Sequence, residues 1–89
     1  MASNNNKDIW ATNDGKDPYD CDFIVKYSYK RANWWCSYYD KNSDIVYCIA
    51  DLGLGFREQG SIFMKQLIEI GAKRDKTYKK QTYKEVMEN

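Results

Sequence analysis

The clearest pattern in the chain lies between Cys21 and Lys30, where the side chains alternate in character. Phe23, Val25, Tyr27 and Tyr29 fall on one side, and Asp22, Ile24, Lys26, Ser28 and Lys30 on the other. A period of two is that of a half-buried strand. Arg31, Ala32 and Asn33 can turn the chain, and Trp34–Tyr39 (WWCSYY) reads as a second strand. The segment DKNS that follows is a short hairpin loop, and DIVYCIA is apolar enough to be the most covered strand. Strands joined by turns this short pair antiparallel. The prediction is a three-stranded meander over about residues 21–31, 34–40 and 44–50.

Past Gly53 and Gly55 the period changes. Phe63, Met64, Leu67, Ile68 and Ile70 make a broad stripe at helical spacing. It predicts one main helix over about 58–71, starting at Ser61 or in a frayed turn around Gly60 and stopping at Gly71. Thr82-x-x-Glu85 has capping-box spacing and opens a short second helix, 83–88. Upstream, residues 1–20 read as a disordered or looped arm. Met1–Lys7 is polar with nothing to bury, Ile9–Trp10 is a lone apolar pair fit for a short strand or a plug, and TNDGKDPYD is dense in turn formers. The expected fold class is α+β: a meander packed on one main helix, with residues 21–89 as a single small domain. A chain of 89 residues is too short for two cores.

Composition narrows the chemistry. There is no histidine, and Cys21, Cys36 and Cys48 have no CxxC spacing. Those absences remove Cys/His zinc sites and histidine-based nucleophilic catalysis, so no enzyme activity, cofactor or metal is expected. The polar opening MASNNNKD lacks the apolar stretch of a signal peptide, and no run approaches membrane-spanning length. A reducing cytoplasm with free thiols follows as the expectation.

The net charge is only +1, which weighs against a dedicated nucleic-acid binder. It is unevenly spread, however: the first third is acidic, whereas Lys73, Arg74, Lys76, Lys79 and Lys80 form a basic segment near the C-terminus. Such a run suits an acidic or phosphate-bearing partner. Eight Tyr, three Trp and three Phe are many for this length. In the second strand, Trp34, Trp35, Tyr38 and Tyr39 place a Trp and a Tyr on each face. One helix covers one face, so the other face must be covered by another part of the chain, a second copy or a partner. The expected contact surface is therefore one of the two aromatic faces, assisted by the basic segment.

Asp51-x-Gly53-x-Gly55, at the end of the third strand, resembles the Asp-x-Gly-x-Gly box of the GHKL ATP-binding fold. That resemblance implies an adenine contact from Asp51. It spans about a fifth of the chain, and the helix carrying the family's Glu and Asn has no counterpart before Asp51. The alternative is that both glycines serve the exit from a strand into a helix. Three functions remain, in order. The first is a protein-binding inhibitor or adaptor of the phage or mobile-element kind, occluding a host protein that handles nucleic acid, or forming a homodimer. The second is a nucleic-acid-binding module, and the third a degenerate nucleotide-binding fragment.

Overall fold

The computed structural model describes residues 8–88. The expectation for Met1–Lys7 lies outside that range. The chain forms a small α+β domain around a five-stranded antiparallel sheet in the order β4-β3-β2-β1-β5. Its strands are β1 (Val25–Tyr29), β2 (Ala32–Asp40), β3 (Ile45–Asp51), β4 (Glu58–Phe63) and β5 (Lys73–Arg74). The helices are α1 (Met64–Ile70) and α2 (Tyr83–Glu88), preceded by a 3-10 turn at Ile9–Asn13.

The meander of β1, β2 and β3 is present as the alternation predicts. The first strand is shorter than expected because Phe23 forms only an isolated bridge, with Gln81. The main correction concerns the helix predicted over 58–71. Its first half is strand β4, and only Met64–Ile70 is helical. Gly60 would weaken a helix interior by about 1 kcal/mol relative to Ala. In β4 it lies opposite Cys48, and the strand's backbone groups complete the ladder along β3. The helix begins where Asp44, distant in sequence, can cap it. Met64 N–H donates to the Asp44 carbonyl at 2.9 Å, and Lys65 N–H to its Oδ2 at 3.0 Å. Gly71, in the left-handed region at φ 85°, ends the helix as expected.

Both faces of the sheet are core. On one, Val25, Trp34, Cys36, Val46 and Cys48 pack with Leu67 of α1 and with Trp10 from the arm. On the other, Phe23, Trp35 and Ile49 pack with Val86 of α2. The capping box forms: Thr82 N–H donates to Glu85 Oε1 at 2.8 Å, and Glu85 N–H to Thr82 Oγ1 at 3.2 Å. Upstream, Trp10 docks into the core as a plug and Asn13 is buried, while most of residues 14–20 form exposed loop. β2 shifts register between Cys36 and Tyr38. The Ser37 carbonyl at this irregularity accepts from Asn13 Nδ2 at 2.7 Å, and Asn13 is itself buried. A buried backbone carbonyl off the ladder needs such a partner.

Candidate partner-binding surface

The aromatic residues of β2 are not a free surface. Trp34 and Trp35 point to opposite faces, yet they are only 5% and 6% exposed. The expectation of one outward Trp is corrected, because α2 closes the second face. Two cations approach the Trp35 ring, Arg57 at 4.4 Å and Lys26 at 5.2 Å from its centroid. Tyr38 and Tyr39 are half-buried, and their hydroxyls are engaged. Tyr38 donates to Asp14 at 2.6 Å, a bond that helps push its pKa up to about 12. Tyr39 donates to Asp44 at 2.7 Å, and its ring packs against Trp10 at 6.2 Å.

The basic segment is ordered and open to solvent. Lys73 and Arg74 pair with Ser28 and Tyr27 of β1, and Lys76, Lys79 and Lys80 are exposed beyond them. Asp75, the acid within this run, is bonded by the Thr77 hydroxyl at 2.7 Å and the Thr77 N–H at 2.9 Å. These bonds hold its carboxyl below the ordinary range. Tyr78 anchors the run, donating to the Phe23 carbonyl at 2.9 Å.

Asp51, Gly53 and Gly55 form the turn out of β3. Asp51 Oδ1 accepts from Gly53 N–H at 2.9 Å, and Oδ2 lies 3.6 Å from Arg57 Nε. Both carboxylate oxygens thus have partners inside the turn. Gly53 and Gly55 adopt φ of 84° and 91°, and a Cβ on Gly53 would lie 3.1 Å from that of Arg31. A backbone of this shape requires glycine for steric reasons. Arg57 fixes the far end of the turn through Trp35, Asp51 and a hydrogen bond to the Val86 carbonyl.

The turn holds what the sequence reading missed. Leu52, Leu54 and Phe56 are 56%, 68% and 53% exposed. They line a cleft of about 60 Å³ with Ala50 and Glu58. Beside it, a wider groove of about 350 Å³ crosses β3 and β4, bounded by Trp34, Leu52 and Ile62. The signal was present in DLGLGF: a turn whose non-glycine interior positions are all large and apolar departs from the polar composition of ordinary loops. Among the described residues, no three His, Cys, Asp or Glu side chains gather as a metal site, and no helix is long and apolar enough to cross a membrane. A family model described as a protein of unknown function (DUF2958) matches residues 3–86. No curated protein and no solved structure matches the chain.

Proposed function

We propose that this chain, which belongs to the DUF2958 family, works by binding another protein through the Leu52–Phe56 loop and acts by occlusion, as an inhibitor or adaptor. The observation that supports this most is the exposure of three large apolar side chains on a loop whose backbone is already fixed by Asp51, Arg57 and two glycines. Exposed apolar groups cost solubility, and clustered ones mark interaction sites. A pre-formed loop loses little entropy on docking. Fully burying each side chain is worth about 1.5–3 kcal/mol, enough to anchor an interface. The basic segment, carrying Lys73, Arg74, Lys76, Lys79 and Lys80, adds steering toward an acidic surface on the partner. A cytoplasmic site of action and a phage or mobile-element origin belong to the same proposal.

The test compares the unmodified chain with Leu54→Asp as baits in the native host, with captured proteins quantified by mass spectrometry. Leu54 makes no core contact, so the variant should melt at nearly the same temperature. One partner should be lost at least tenfold. Equal capture by both baits would remove the loop as the contact surface. A second reading, direct nucleic-acid binding, draws on the exposed basic segment. Its stacking platform is missing, since the β2 aromatics it would use are buried or bonded.

A further inference from the structure

The two edges of the sheet are built differently. β5, at one edge, is two residues long, and both are cationic. Short edges and positive charge are devices that keep other strands away. β4, at the other edge, is six residues long (EQGSIF), keeps an uninterrupted register, and contains no Lys, Arg or Pro. Among the described residues no strand pairs with its outer side, and its backbone is met only at Gly60, whose carbonyl accepts from the Tyr19 hydroxyl at 3.4 Å, and at Phe63, whose N–H donates to Gln66 Oε1 at 3.4 Å.

The ladder identifies which backbone groups are free. Hydrogen-bonded and non-hydrogen-bonded pairs alternate along antiparallel strands. Met64 N–H donates to the Asp44 carbonyl, which makes that pair a bonded one. Stepping by two along the register, Val46–Ile62, Cys48–Gly60 and Ala50–Glu58 are also bonded pairs. Gln59 and Ser61 lie between them, so they direct N–H and carbonyl away from β3, and both residues are exposed. Gly60 has no heavy atom within 4 Å of where a Cβ would stand.

We propose that two copies of this chain pair antiparallel through the outer edges of β4, joining their sheets across a two-fold axis at Gly60. The edge is complementary to itself in this register. Gln59 of each copy faces Ser61 of the other, giving about four main-chain hydrogen bonds. Glu58 faces Ile62, so the two carboxylates stay apart, and Gly60 faces Gly60 with no side chain between. The same operation brings the Phe56 end of one copy toward the Phe63 end of the other, and these rings are 53% and 50% exposed. Two separate apolar exposures are thereby accounted for by one contact. The pairing goes beyond the partner reading and shares only Phe56 with it, so that Leu54→Asp tests the one and Gly60→Lys the other. Leu54, at the loop tip, remains available in each copy.

Sedimentation equilibrium of the full chain over a roughly hundredfold concentration range should give a reversible monomer–dimer equilibrium. Gly60→Lys sets two like charges face to face where the monomer has room, and should yield a folded monomer by circular dichroism. Gly60→Cys should oxidise to a covalent dimer, because facing non-hydrogen-bonded residues sit about 4.5 Å apart, within disulfide reach. Ser61→Cys, facing Gln59, should cross-link no more than the unmodified chain with its three free cysteines. A monomer throughout the range overturns the proposal, including one that takes up a strand from a different protein. So does a dimer that Gly60→Lys leaves intact, or one that cross-links better through Ser61→Cys.

Discussion

Trp34 and Trp35 are neighbours that a strand must send to opposite faces, and each lands in a different cluster. Trp34 lies with Leu67 and Trp10, whereas Trp35 lies with Ile49, Phe23 and Val86. Neither could be spared for a contact surface: Trp35 is the largest ring in its half of the core, and Trp34 shares the other half with Trp10. Replacing either by Ala should cost about 3–5 kcal/mol, as for other buried large aromatics. A domain of this kind holds roughly 5–15 kcal/mol in all. Chemical denaturation of both variants checks this. Equal, severe losses are expected, and a stable variant at either position would mean that one face is not core. Trp35→Ala also removes the ring beneath Arg57, so it should loosen the Leu52–Phe56 loop. Trp34→Ala should leave that loop in place.

At the scale of elements, α1 is the one most dependent on a distant residue. Seven residues do not hold a helix alone, and this one is held by Leu67 in the core, by Gly71 and by Asp44 at its start. Asp44 sits in the left-handed region at φ 64° and also accepts from the Tyr39 hydroxyl. Asp44→Ala should therefore lower Tm by several degrees. Asp44→Asn, which tolerates that φ and keeps an acceptor, should lower it less. The Lys65 N–H bond, followed by the Tyr39 bond, holds the Asp44 carboxyl below its usual range. Its folded pKa is thus below its unfolded pKa. The stability it contributes is present above the ordinary aspartate range and is lost as pH falls through the folded value. A Tm–pH curve should fall on the acid side, and Asp44→Asn should flatten part of that fall. A parallel curve would mean that the cap does not titrate.

Across the whole molecule, the basic segment and the apolar loop lie at opposite sides of the sheet. The basic segment runs through and beyond β5 at one edge, and the apolar loop joins β3 to β4 at the other. Lys79 and Lys80 are exposed and belong to neither core cluster. Reversing both to Glu should leave Tm nearly unchanged. It should slow association with the partner and reduce the dependence of that rate on salt. Stopped-flow or surface-binding kinetics at two ionic strengths would measure this. An unchanged rate at low salt would make the segment a solubilising face.

Three strands, the α2 capping box and the stop at Gly71 were legible because each depends on residues within a few positions of one another. Alternation marks a strand, Thr82-x-x-Glu85 caps a helix start, and a glycine at positive φ ends one. The composition of DLGLGF was equally visible, but composition alone does not say whether Leu54 folds inward. The strand at Glu58–Phe63 was not legible. Ile62 and Phe63 run straight into the Met64–Ile70 stripe, and what separates them is the open edge of β3 and the cap from Asp44, twenty residues away. The burial of both Trp34 and Trp35 was hidden for the same reason. Covering the second face required α2, from the far end of the chain, while Trp10 from the other end completed the first face and Asn13 satisfied the irregular backbone at Ser37. Local backbone preference was written in the amino-acid order. Which faces and edges remained open was decided by contacts between segments far apart, because burial is a property of the assembled surface and not of any one stretch.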